Sequence, residues 1–242
     1  YERALAIREK AHGPEHPRVA FPLNNLARLL QVQGSYTEAR PLLERSLAIF
    51  EKALGPDHPD VTLALNNLAV LLRTQGSYAE ARPLYERSLV IMEKSLGPEH
   101  PYVATSLNNL AELLRTHGSY AEAHPLYKRS LAIREKSLGP EDPYVALSLN
   151  NLAGLLDAQG SYAEARPFYE RALAIREKAL GPEHPDVATV LNNLAFHFDT
   201  QGSYAEARPL YERSLVIMEK SLGPEHPTVA LILNNIALLL NA

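Results

Sequence analysis

Five of the nine histidines, His16, His58, His100, His184 and His226, stand at one position of a recurring Gly-Pro-acid-His-Pro phrase. Imidazole is the commonest metal ligand and a ready general base, so their spacing decides what they can do. Neighbouring copies lie 42 residues apart, with Asp142 filling the one gap in the series. In stacked helical units that spacing sets them about 10 Å apart, while ligands sit about 2 Å from a metal. The reading that follows is a linker histidine that helps to cap the next helix. Ser, Glu and Arg are equally abundant and equally periodic, whereas an active site brings different groups to one point. No catalytic residue, metal ligand or cofactor is therefore assigned, and the chain is read as a non-enzyme.

The elements that position these residues repeat with the same period. GSY begins at Gly34, Gly76, Gly118, Gly160 and Gly202, and LNN at Leu23, Leu65, Leu107, Leu149 and Leu191, with Leu233 opening a sixth LNN. Gln75–Pro101 returns letter for letter as Gln201–Pro227. A fixed period in this range marks a solenoid or array. The copies divide into a half repeat at 1–17, full repeats at 18–59, 60–101, 102–143, 144–185 and 186–227, and a half repeat at 228–242, read as one array.

Within 60–101, Leu65, Leu68, Ala69 and Leu72 fall at i, i+3, i+4 and i+7, one apolar face of a helix. Gly76 suits the left-handed cap that ends it. Ser77 and Glu80 have the spacing of a capping box opening a second helix; Ser35/Glu38, Ser119/Glu122, Ser161/Glu164 and Ser203/Glu206 repeat it. Ala81, Leu84, Tyr85, Ser88, Leu89 and Met92 form the stripe of that helix. Gly97–Pro98 stops it, and Pro101 suits the first turn of the next. Pro41, Pro83, Pro125, Pro167 and Pro209 lie about six residues into the second helices, where a slight bend is expected rather than a break. No strand pattern occurs.

Leu68, Ala69, Leu72, Gly76, Tyr78, Ala81, Tyr85, Ser88 and Pro98 together resemble the tetratricopeptide repeat, and the likeness covers essentially the whole chain. This unit is eight residues longer than the usual one, which suits about one extra turn per helix. LNNLA, YAEARPLYERSL and EKSLGPEHPDVA-like wording is similar to the repeats of kinesin light chains, nephrocystin-like proteins and bacterial sensors. The resemblance implies an all-α, right-handed superhelical solenoid of antiparallel helical hairpins.

Composition narrows the partners. The net charge of −4 lacks the strongly basic balance of a nucleic-acid binder. No apolar run approaches the ~20 residues that span a bilayer, so neither nucleic acid nor membrane is expected and a cytoplasmic setting is. The 242 residues contain no cysteine, hence no disulfide framework.

Specificity is sought where the copies differ. An Asn pair never varies: Asn24/Asn25, Asn66/Asn67, Asn108/Asn109, Asn150/Asn151, Asn192/Asn193 and Asn234/Asn235. Beside it, Arg28, Val70, Glu112, Gly154 and Phe196 share one column; Gln31, Arg73, Arg115, Asp157 and Asp199 share another. Leu63, Asn67, Val70 and Thr74 define a stripe offset from the one facing the second helix. The family likeness implies that this stripe lines a concave groove binding an extended peptide or partner helix. It also implies that the second Asn of each pair (Asn25, Asn67, Asn109, Asn151, Asn193, Asn235) bonds the peptide backbone. The alternative is an Asn ladder tying adjacent repeats together. Arg28, Arg73 and Arg115 toward one end, Asp157 and Asp199 toward the other, suggest a polarised groove, and Phe196, His197 and Phe198 an aromatic cluster.

A protein or peptide ligand is thus the expected partner. Two other readings stand beside it. Leu231, Leu233, Ile236, Leu239 and Leu240 lack a second helix to cover them and suit end-to-end association of copies. The array would also serve as the sensor or adaptor arm of a larger signalling protein.

Overall fold

The computed structural model describes residues 1–240 and is helical throughout them, without strands. It divides into two compact units, Tyr1–Ser119 and Tyr120–Ala242. The first holds α1 (Glu2–His12), α2 (Pro17–Val32), α3 (Tyr36–Leu54), α4 (Val61–Thr74), α5 (Tyr78–Leu96) and α6 (Pro101–Thr116). The second holds α7 (Tyr120–Leu138), α8 (Pro143–Ala158), α9 (Tyr162–Leu180), α10 (Pro185–Thr200), α11 (Tyr204–Leu222) and α12 (Pro227–Leu240). Even-numbered helices carry the LNN phrase and the odd-numbered ones from α3 onward the YxEA phrase, so each full repeat is a helical hairpin, as its periodicity predicts.

The tight turn inside a hairpin is closed by backbone alone. After α4, Gly76 takes φ 77° and its N–H bonds Arg73 O at 3.0 Å, while Ser77 N bonds Leu72 O at 2.8 Å. This double closure satisfies the last carbonyls of α4 and needs a residue free to enter the left-handed region. It also explains one departure from the expected capping box. Ser77 is the N-cap of α5, but at φ −80° and ψ 58° its hydroxyl makes no cap bond; Ser35, Ser161 and Ser203 behave alike. The serine backbone is already committed to the preceding helix, and the extended geometry that aims a capping hydroxyl is out of reach.

The linker histidines cap the next helix instead. Nδ1 of His16, His100, His184 and His226 accepts from the backbone N–H two residues on, at 3.1–3.2 Å. His58 does the same for Asp60, although α4 starts two residues later than its counterparts. Asp142 does it for Tyr144 at 2.7 Å. Pro17, Pro101 and Pro143 occupy the first turn, where a missing N–H leaves nothing unpaired. The prolines inside α3, α5, α7, α9 and α11 interrupt none of them.

Packing within each unit follows from the hairpin stack. α4 lies against both α3 and α5, and α10 against both α9 and α11. An even helix therefore buries two faces, which is why Val61, Ala64 and Leu71 are as inaccessible as the predicted Leu65, Leu68, Ala69 and Leu72. On α5, Ile91 is buried while Leu84, Leu89 and Met92 are half-buried. Val19, Ala20, Leu23, Phe50, Val61, Leu65 and Ile91 form one continuous core across successive repeats, and Val187, Leu191, Ile217, Val229 and Ile232 its counterpart in the second unit.

Outside this core four linkers are latched to the next odd helix of their own unit. Arg87 reaches Glu51 Oε1 at 2.5 Å and Pro56 O at 2.7 Å. Arg45 repeats this with Glu9 and Pro14, Arg171 with Glu135 and Pro140, and Arg213 with Glu177 and Pro182. Hydrogen bonds from Lys52, Lys178 and Lys220, then their charge, hold the Glu15, Glu141 and Glu183 carboxyls below the usual carboxylate range.

Candidate protein-binding face

The even helices place the two asparagines in different roles. Asn24 is buried; its Nδ2 donates to Ala20 O at 3.0 Å and to Ser46 Oγ on α3, and its Oδ1 accepts from Asn67 Nδ2 at 2.9 Å. Asn193 donates in the same way to Asn150 at 3.0 Å, and Asn235 to Asn192 at 3.2 Å. At these three steps the first Asn accepts from the second Asn of the following repeat. The pairing is not uniform: Asn24 and Asn108 are buried, Asn66, Asn150 and Asn192 half-buried and Asn234 exposed, and Asn66 Oδ1 is buried without a hydrogen bond. Asn25 is exposed; Asn67, Asn109, Asn151, Asn193 and Asn235 are half-buried at the edge of the stripe. A carboxamide offers two N–H donors and an acceptor oxygen, so a bridging Asn67 retains capacity for another partner.

Leu63 and Thr74 are exposed and Val70 half-buried on α4, Phe21 and Arg28 are exposed on α2, and Phe196 is 51% exposed on α10.

The charged columns are arranged less simply. Arg115 meets Glu112 through two bonds of 2.8 and 2.9 Å, and Arg73 reaches the same carboxylate at 3.6 Å. Two of the three predicted basic positions are therefore already balanced by one acid. Burial pushes the neighbouring Tyr85 phenol up to about 12, opposed by the charge and hydrogen bond of Arg73.

In the second unit Asp157 turns inward, its Oδ1 2.7 Å from His197 Nδ1, with the two side chains only 9% and 1% exposed. His197 Nε2 lies 2.9 Å from Gln201 Nε2, and the imidazole packs 5.7 Å from the Tyr169 ring. Asp157 is thus a buried partner of a core histidine. Its Oδ2 is buried without a hydrogen bond. Asp199 is half-buried near Tyr211, whose phenol is raised by burial first and by that carboxylate second.

The expected aromatic cluster separates accordingly. Successive helical residues point about 100° apart, so Phe196 faces solvent, His197 the core and Phe198 lies between. Writing the copies beneath one another would have exposed the His197 site, because Leu29, Leu71, Leu113, Leu155 and Leu239 fill its column and all but Leu29 are buried.

The α12 residues also divide. Leu231, Leu233 and Leu240 are exposed, but Leu239 is 6% exposed and packs with Ala195, Ala207 and Tyr211, and Ile236 is half-buried against the same cluster. Leu239 and Ile236 face α10 and α11 because the hairpin stack already supplies them with neighbours, so they are not part of an open apolar face.

No helix among the described residues is long and apolar enough to cross a membrane, and no group of three or more His, Asp or Glu among them is placed to hold a metal.

Comparison with known proteins agrees with this architecture. A tetratricopeptide repeat model matches residues 21–89, 60–136, 126–178, 144–215 and 186–242, and another tetratricopeptide repeat model matches 1–18. No curated protein matches the chain. Among solved structures, the nearly identical TPR-like repeats of a Podosopora anserina kinesin light chain are 33% identical. That match covers 85% of this chain and 97% of that one, with a TM-score of 0.70. BtubC (BKLC) from P. vanneervenii is 26% identical over 93% of this chain and 89% of its own, with a TM-score of 0.72. Pseudomonas aeruginosa pilF, 19% identical over 92% and 90% with a TM-score of 0.58, shares the fold alone. With repeat matches running almost end to end and kinesin light chain-like repeats among its structural neighbours, the chain belongs to the tetratricopeptide repeat family.

Proposed function

We propose that the chain is a protein-interaction scaffold that binds an extended peptide or partner helix along the stripe of its even helices. The observation that carries this reading is the contrast within one surface. The Asn pair is invariant, while the exposed residues beside it, Phe21, Arg28, Leu63 and Phe196, differ from copy to copy. A surface under structural demand alone would repeat as the core does. Bridging carboxamides such as Asn67 and Asn193 offer backbone-type hydrogen bonds, and variable neighbours select side chains, the division of labour that extended-peptide recognition uses. In the first unit Arg28 leaves the stripe with a positive charge outside the Glu112 network, which favours acidic side chains there.

Peptide display against the immobilised chain, followed by calorimetry on the selected peptide, tests this. Arg28→Glu and Phe196→Glu alter exposed side chains and are expected to weaken binding about tenfold or more without shifting the thermal midpoint. As the outer variant, Val90→Lys at an exposed position of α5 is expected to leave binding unchanged. Loss of binding in the outer variant with retention in both stripe variants overturns the reading.

A further inference from the structure

Between the start of α5 and the end of α6 lies a partly open cavity of about 130 Å³, lined by Tyr78, Ala79, Arg82, Leu113, Leu114 and His117. Its floor is the buried pair Leu113 and Leu114, and its rim carries the Tyr78 and His117 rings with centroids 5.2 Å apart. An enclosed cavity of roughly 150 Å³ holds a benzene ring; this one is slightly smaller but open on one side, so a single ring can enter edge first with part of it left at the mouth.

The second unit shows what the same frame does with such a ring. Eighty-four residues on, Tyr162, Ala163 and Arg166 open α9, and His197, Phe198 and Gln201 close α10. Arg82 and Arg166 are braced alike, Nε to Glu86 and Glu170 Oε1 at 2.7 Å. Where the first unit has Leu114, the second has Phe198. Its ring lies 5.3 Å beneath the Arg166 guanidinium and edge-on to His197 at 5.5 Å.

We propose that the α5–α6 cavity receives an aromatic side chain from a bound partner, its ring taking beneath Arg82 the place that Phe198 takes beneath Arg166. An aromatic ring fits better than an aliphatic chain of equal size for two reasons. Its negative face meets a guanidinium, and its edge packs against the tyrosine and imidazole rings of the rim. The site stands on α5 and the end of α6 and is independent of the Asn-lined stripe.

N-acetyl-phenylalaninamide carries the same single ring that Phe198 supplies in the second unit and is the probe. Titration at millimolar concentration is expected to shift the Leu113 and Leu114 methyl and His117 ring resonances saturably. Leu114→Phe, which installs the second unit's own plug, is expected to abolish the shifts while the circular dichroism stays helical. Should that variant fail to fold, Arg82→Ala is expected to weaken the probe about two- to fivefold. Equal shifts with N-acetyl-leucinamide, absence of saturable shifts, or undiminished binding to a folded Leu114→Phe chain would each overturn the proposal.

Discussion

One column of the repeat carries Arg73 and Arg115 in the first unit and Asp157 and Asp199 in the second, and the two units treat it in opposite ways. In the first, the arginines lie at the surface around Glu112, with side chains about a third exposed. In the second, Asp157 is drawn beneath the surface by His197, which stands where four other copies bury a leucine and the first, Leu29, exposes one. The backbone frame is the same. What differs is one core position forty residues further on, and that position decides whether the charge is solvated or sealed. Exposed ion networks contribute little because water and salt screen them. A buried pair is costly to assemble and more costly to leave half-assembled. The two regions therefore look alike in outline and are opposite in energetic consequence.

The largest expected effects come from breaking the sealed side. His197→Leu restores the leucine of the other copies but strands the Asp157 carboxylate, and should cost about 3–5 kcal/mol in urea denaturation. Asp157→Gln combined with His197→Leu recreates the Gln31–Leu71 pairing of an earlier repeat and should recover most of that loss. A double mutant no more stable than His197→Leu alone would show that the histidine is needed for packing rather than for the acid. The same column supplies a control. Leu239→Glu places an acid there without a partner and should destabilise by a similar amount, while Leu240→Glu, at an exposed position, should shift the midpoint by less than about 0.5 kcal/mol.

Alkaline titration probes the first unit at Tyr85. Burial raises its phenol to about 12. Between pH 10 and 12 the unfolded chain therefore releases a proton that the native state keeps, so stability falls as pH rises through that window. The loss for this group is about 2–3 kcal/mol when complete. Tyr85→Phe should flatten this part of the pH profile; an unchanged slope would refute the assignment. The smallest effect belongs to the exposed network: Glu112→Ala should cost no more than about 1 kcal/mol, and less in high salt. A loss comparable to that of His197→Leu would erase the contrast between the units.

Much of the fold was legible in the sequence because period 42 and period 3.6 agree. LNNLA and GSY delimit the helices, and a positive φ at Gly76 follows from the turn that its neighbours demand. The idle hydroxyl of Ser77 was not legible, since capping-box spacing says nothing of a backbone already bound to the helix before it. The burial of Leu71 was missed because a single helix shows one apolar face, whereas α4 has neighbours on two sides. At the candidate site, the Asn pair was visible as an invariant, but whether it bonds a ligand or another repeat depends on a partner 43 residues away. The Asp157–His197 pair was hidden by reading His197 with its chain neighbours Phe196 and Phe198, rather than with the leucines of its column.

Nearly every bond that joins one hairpin to the next has a constant offset in the chain: 43 residues for Asn67 to Asn24, 31 for Arg87 to Pro56, 36 for Arg87 to Glu51. Such a code does not record how many copies there are. Removing the stretch between Gln75 and Gln201, whose following residues are identical through Pro101 and Pro227, leaves a junction with the same local wording and offsets. An array one hairpin longer or shorter therefore needs no new interface, because each added or removed copy reuses the bonds that its neighbours already make.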